Sequence, residues 1–281
     1  MTSRQSDWSI EETTIALSLY AVTFSSQIHV RNPQIIALSS MIRRSPGSVK
    51  CKLFNLASFD DKARGQNLNH ASQNDHTVWN RYFDGRELKL LPLMREAVDL
   101  CKQFNWDISR ADWLAPPLDN DSCIPLSSST HPTLRDYMID SKMPNEIQVL
   151  QNQRCMQGLF RNAVLANFNG ACAITGCSIK CLVEAAHILP WSTHPSERLK
   201  QSNGLALTPF LHTAYDEDYL GIDPDGKVFV SAKLLSQKKM NEKFYQYLTD
   251  IDGMKIDFSK LRVPPDKDYL AKRFQNYRLH Q

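Results

Sequence analysis

The sequence predicts an α+β protein: a helical domain over residues 1–114, then a domain of mixed helices and short strands over residues 134–281. Three observations carry that expectation. In the first part apolar residues recur at i, i+3 or i+4, and i+7, the period of a half-buried helix. The run "APPLDNDSCIPLSSSTHPT", Ala115 to Thr133, is rich in Pro, Ser, Asp and Asn and offers little to pack, so it reads as a linker. Beyond it, one long amphipathic segment is followed by short apolar runs punctuated by Gly, Asn and Pro.

Composition sets the outer limits. At 281 residues and 42% hydrophobic content the chain has room for two cores. A net charge of +3 neither demands nor excludes nucleic acid, so the distribution of charge must decide. No run approaches the apolar length of a membrane span, and the polar start "MTSRQSDWS" lacks the core of a secretory signal. Seven cysteines, an odd number without a disulfide rhythm, fit a reducing compartment. The expectation is a cytoplasmic protein with no membrane partner.

In the first domain, Ser9 followed by Glu12 is a capping-box signature, and Ile15, Leu19 and Val22 give the helix one apolar face. A second helix starts at Pro33 and buries Ile35, Leu38 and Ile42. A third starts at Ser45-Pro46, with Val49, Leu53 and Leu56 inward. The join between these two is as short as a helix-turn-helix allows. From Pro33 to Phe59 the chain holds Arg43, Arg44, Lys50 and Lys52 and no acidic residue. With the apolar positions inward, Ser48, Lys52 and Asn55 project outward as phosphate and base-edge contacts. The stretch resembles helix-turn-helix or Myb-like segments, which implies a DNA-binding domain; the plainer reading is a bundle whose polar face happens to be basic. Residues 60 to 114 add a polar loop, a helix around Trp79 to Phe83 and another from Leu91 onward. His70 and His76 have no companion ligands in the sequence and read as solvated histidines.

The second domain opens with a helix from Glu146 to about Phe168, stopped by Gly170. "ACAITG" and "KCLVEAAHILP" read as short strands, the latter placing Val183, Ala185 and His187 on one face and Glu184 and Ala186 on the other. "SNGLALT" is a further strand with turn chemistry at Asn203-Gly204. Thr208-Pro209 then opens a short helix on which His212 and Asp216 are i, i+4 neighbours able to address one point. A hairpin through Pro224 to Gly226, a basic helix in "KLLSQKKMNEKFYQYL" and a basic tail complete the chain. That tail could hold phosphate backbone or merely cover a helix face.

His, Asn and His carried in the order strand, loop, strand, helix resemble the HNH, or ββα-metal, nucleases. The matching pieces are Cys172 to Gly176, Ala186 to Trp191, Arg198 to Leu207 and Leu211 to Asp216, around a motif core of 170–220. The resemblance is closest to bacterial HNH endonucleases and covers about residues 150 to 232. It implies that His187 is the general base that activates water, a task suited to a side chain titrating near neutrality. Asn203 then orients the imidazole or braces the loop, and His212 binds one divalent ion. Asp216 is either a further ligand or the partner that holds the His212 ring. Arg198 contacts the phosphate backbone or serves as a structural cation. The ion offsets charge on phosphate and leaving oxygen, with Mg²⁺ expected and Mn²⁺ an alternative.

One position departs from the pattern. Many HNH enzymes place an Asp or His ligand immediately before the base, where this chain has Ala186. Either Glu184 supplies the carboxylate, or the site rests on His212, Asp216 and waters. A structural zinc is not expected, because Cys172, Cys177 and Cys181 form no C-x-x-C pair, even with His194 as a fourth ligand. The resulting expectation is a metal-dependent DNA endonuclease of restriction or phage defence, as a homodimer if it cuts both strands. Its alternatives are a DNA-binding regulator that keeps an inactive nuclease fold, or a nuclease for RNA or branched DNA.

Overall fold

The computed structural model describes residues 7–60, 70–111, 113–114, 144–237 and 241–280, with the backbone alone over 144–155. The expected 115–133 linker lies outside the described residues. Helix α1 (Ile10–Ala21) begins at the Ser9–Glu12 capping box and is buried along nearly its whole length, including Thr13, Thr14 and Ser18. Those hydroxyls stay satisfied by bonding carbonyls one turn back, and Ser18 also accepts from Trp113 Nε1 at 3.1 Å. Helix α2 (Pro33–Met41) packs against α3 (Pro46–Ala57), and α3, α4 (Gln73–Tyr82) and α5 (Leu90–Gln103) pack around α1.

The α3 face differs from the sequence expectation. Lys52 does not project outward: it is 4% exposed and paired with the fully buried Asp75 of α4. Arg44 is likewise buried, donating to Glu12 at 2.7 Å and to the Asp7 carbonyl at 2.9 Å. Both cations lie over the Trp8 ring, at 4.6 Å for Arg44 and 5.0 Å for Lys52. Helical period counts residues per turn and cannot tell a solvent-facing lysine from one that meets a carboxylate on a later helix. Ser48 accepts from Trp8 Nε1 at 3.3 Å and Asn55 donates to the His70 carbonyl at 3.2 Å. Arg43 is exposed and Lys50 half-buried.

Helix α6 (Pro144–Asn167) bridges two cores. Leu159 and Ala163 join the cluster around α1, whereas Phe160 and Val164 belong to a second cluster in the C-terminal part. Gly170 at φ 71° lets the chain reverse after the helix. "ACAITG" is a turn rather than a strand, closed by Cys172 N–H donating to Cys177 O at 2.8 Å. Strands β1 (Glu184–His187) and β2 (Gly204–Leu207) pair antiparallel, with His187 opposite Gly204. Helix α7 (Pro209–Asp216) follows, then the hairpin β3 (Leu220–Ile222) and β4 (Val228–Val230). The expected single basic helix is two, α8 (Ala232–Leu235) and α9 (Glu242–Ile251), because Ser231 and Asn241 each cap a separate start. Helix α10 (Lys267–Leu279) ends the described chain.

The two parts meet through polar contacts. Gln201 Nε2 donates to Ala163 O at 2.9 Å and Ala21 O at 3.4 Å. Arg262 pairs with Asp60 at 3.2 Å, both side chains 9% exposed. Arg86 pairs with Asp266.

Candidate active site

β1 and α7 place their polar side chains on one cleft of about 680 Å³, whose lining includes Phe160, Arg161, Glu184, His187, His212 and Asp216. Small side chains make the approach possible. Gly204 opposite His187 has no Cβ; one added there would stand 2.3 Å from Val164 Cγ2 and 3.1 Å from Phe160 Cζ. The absence of that atom lets α6 lie directly on the strand pair and brings the Phe160 ring onto the His187 imidazole, 3.7 Å between centroids and 12° from parallel.

His187 is held on three sides. Phe160 stacks on it, Trp191 meets it edge-on at 5.4 Å, and Nε2 lies 3.1 Å from the backbone carbonyl of Arg198. A carbonyl only accepts, so Nε2 carries the proton and Nδ1 keeps the basic lone pair. Burial is the main influence on its titration and pushes the imidazole below its ordinary value; the bond to the Arg198 carbonyl opposes that shift. The ring is therefore neutral and able to accept a proton at physiological pH.

Asn203 is fully buried and does not touch the imidazole. Its Oδ1 accepts from Leu189 N at 2.8 Å, and its Nδ2 donates to Leu189 O at 3.2 Å and Glu197 O at 3.1 Å. Of the two sequence readings for Asn203 the geometry favours the brace: it ties both ends of the 189–197 loop, and that loop delivers the Arg198 carbonyl. Glu197 reinforces the loop. Burial would raise its carboxyl, but hydrogen bonds from Lys200, Tyr269 and Ser196 hold it at about 2. Arg198 itself donates to Trp191 O at 2.7 Å and lies over the Trp191 ring, a structural use of its guanidinium.

On α7, His212 stands between two carboxylates. Nδ1 is 2.8 Å from Glu184 Oε2 and Nε2 is 3.3 Å from Asp216 Oδ2. The bond to Asp216, then that to Glu184, raises the His212 titration above its ordinary value against the opposing effect of burial. Among the described residues no three or more His, Cys, Asp or Glu side chains form a metal-holding group. The pair Nε2–Oδ2 nevertheless fits a cation that keeps most of its water. Its 3.3 Å separation is near the ~3.0 Å edge of an octahedron whose ligands lie about 2.1 Å from Mg²⁺. Glu184, on the other ring nitrogen, is placed to hold the tautomer that leaves Nε2 free for the ion. Ala186 is fully buried and is not among the residues lining the cleft.

Three contributors carried no local signal in the sequence. Phe160 stacks on His187; Arg161 lines the cleft while donating to Val183 O at 2.8 Å. Arg273, from α10, donates to the carbonyls of Tyr215 and Asp216 and pairs with Asp218 at 2.9 Å, fixing the end of α7. None is adjacent to a motif residue in sequence, except that Phe160 and Arg161 sit mid-helix where only spacing could be read.

The family model described as HNH endonuclease matches residues 172–223, from the Cys172 turn through both strands and α7 to the hairpin. That family consists of nucleases, and the match covers His187, Asn203, His212 and Asp216 in one continuous segment. No curated protein matches the chain.

Proposed function

We propose, taking residues 172–223 as an HNH endonuclease module, that the chain is a divalent-metal-dependent endonuclease hydrolysing DNA phosphodiester bonds. One observation carries the reading: a neutral His187 with its Nδ1 lone pair available shares a cleft with the His212–Asp216 pair. His187 Nδ1 takes a proton from water as the water oxygen bonds to phosphorus. The bond to the 3′-oxygen breaks, and that oxygen is protonated from solvent, leaving a 5′-phosphate and a 3′-hydroxyl. His212 and Asp216 would hold the cation, with Glu184 fixing the His212 ring, and what it would supply there is charge neutralisation at the phosphate. Arg161, which lines the cleft, is assigned to contact a phosphate oxygen there.

The N-terminal helices are assigned to DNA contact, through Arg43 and Lys50 in preference to the buried Arg44 and Lys52, with Ser48 and Asn55 as lesser candidates. Bacterial restriction or phage defence is the setting that this pairing of parts suggests, and a homodimer would supply one site per strand. A DNA-binding regulator without cleavage is the second reading, favoured by Ala186 in place of a ligand. Plasmid DNA, modified and unmodified, is incubated with the protein and with His187→Ala in Mg²⁺ or Mn²⁺, beside RNA and branched DNA. Cleavage by the parent protein alone supports the proposal. Cleavage by both proteins, or binding without cleavage by either, defeats it, and cleavage confined to RNA or branched DNA moves the substrate.

A further inference from the structure

A carboxylate from the helical N-terminal part reaches the loop that carries the candidate base. Glu87 lies between α4 and α5 in a turn held by Asp84, whose Oδ1 accepts from Glu87 N at 2.9 Å. Its side chain is buried, with the residue 4% exposed. Oε1 accepts from Ser202 Oγ at 2.6 Å and Oε2 from Ser202 N at 3.2 Å. The Ser202 carbonyl in turn accepts from Asp266 N at 2.9 Å, and Asp266 pairs with Arg86, the neighbour of Glu87. Ser202 is thereby gripped at its amide, its hydroxyl and its carbonyl.

The next residue is Asn203. Its own carbonyl accepts from Ile188 N at 2.9 Å, next to His187, and its side chain ties Leu189 to Glu197. Hydrogen bonds and the Ser202–Asn203 peptide link therefore connect Glu87 to the loop that presents the Arg198 carbonyl to His187 Nε2. Drying a carboxylate costs free energy that an apolar side chain would not incur, so an acid at this packing position is explained by the two donors it satisfies.

We propose that Glu87 is a positioning residue for His187, acting through Ser202 and Asn203, so that the N-terminal helices are part of the catalytic unit. The proposal rests on His187 being the base. It concerns hydrogen-bond geometry rather than charge. A glutamine can accept from Ser202 N through its oxygen and donate to Ser202 Oγ through its amide, so Glu87→Gln keeps both contacts in kind. Alanine keeps neither.

The test compares Glu87→Ala and Glu87→Gln in the full chain, with Asp60→Asn as a control at an interface pair that does not feed the loop. Cleavage kinetics and amide exchange are read together. Expected for Glu87→Ala are a kcat lower by about 100-fold at a KM within about twofold, the signature of misplaced groups with substrate binding kept. Exchange at the Ile188 and Leu189 amides rises about tenfold as their acceptor on Asn203 loosens. Glu87→Gln stays within about threefold of the parent, and Asp60→Asn lowers the melting temperature while leaving kcat and those two amides unchanged. The proposal is overturned if Glu87→Ala matches the parent, if Asp60→Asn reproduces its losses, or if Glu87→Gln is as impaired as Glu87→Ala. If Glu87→Ala does not fold, Ser202→Ala, which removes only the hydroxyl contact, carries the test; a kcat loss of about tenfold supports the proposal and an unchanged kcat overturns it. Should the parent protein cleave nothing, the nuclease reading fails, and the amide exchange alone decides whether Glu87 holds the loop.

Discussion

The His187 ring and the Arg198 backbone are joined at 3.1 Å by a bond in which the imidazole must be the donor. That contact, more than the identity of either residue, decides which ring nitrogen can accept a proton. In a ¹⁵N spectrum His187 is expected as the Nε2–H tautomer at neutral pH. Its titration midpoint should fall below the ordinary histidine value of about 6.5. Because folding lowers this value, the folded state resists protonation. His187's contribution to stability is present above pH ~6.5 and is lost as pH falls through the folded midpoint. A midpoint above the ordinary value would contradict burial as the dominant influence.

Replacing Asn203 by alanine removes three hydrogen bonds from a fully buried position. The expected cost is about 2–4 kcal/mol in denaturant unfolding, since Leu189 and Glu197 backbone groups lose their partner. Single-turnover cleavage should slow by about 100-fold as the loop carrying the Arg198 carbonyl shifts. Asn203→Asp should not restore it, because a carboxylate has no proton to donate to the Leu189 and Glu197 carbonyls.

Metal affinity separates the three groups around His212. Calorimetric titration with Mn²⁺ should show binding abolished in His212→Ala and strongly weakened in Asp216→Ala. In Glu184→Gln the loss should be about tenfold, as expected for a group that orients a ligand without touching the ion. Equal losses in Glu184→Gln and Asp216→Ala would make Glu184 a direct ligand.

Asp75→Ala leaves the Lys52 ammonium buried and unpaired. Unfolding should then cost about 3–5 kcal/mol less, a far larger effect than any single surface cation would give. DNA affinity, measured on the folded fraction, should respond instead to Lys50→Ala and Arg43→Ala, with a shallower salt dependence.

Gly204→Ala inserts a methyl group 2.3 Å from Val164 Cγ2. Repacking should destabilise the protein by about 1–3 kcal/mol in thermal or denaturant melts. The displaced ring is Phe160, so the His187 signals should shift in the same variant.

The candidate site residues stand out in the sequence because each sits in a short local pattern. Asn203-Gly204 announced a strand start, Thr208-Pro209 announced α7, and i, i+4 spacing joined His212 to Asp216. The first three helices were equally readable from their Ser9, Pro33 and Ser45 starts. What the sequence could not convey was pairing across distance. Lys52 was read outward because its partner Asp75 lies on another helix, and the "ACAITG" run was read as a strand because apolar content does not distinguish a buried turn from an extended segment. Arg273 and Glu87 reach the site from 57 residues after Asp216 and 115 before Ser202, separations that no local period encodes.

Arg273 has a practical consequence for anyone wishing to graft or trim the HNH-like segment. Its guanidinium closes the carbonyl end of α7 from well beyond residue 223, just as Phe160 covers His187 from before residue 172. The portion that can be recognised is thus shorter than the portion that holds its side chains in place. A segment running from Phe160 to Arg273 would keep both contacts, whereas one cut at the recognised borders would lose them.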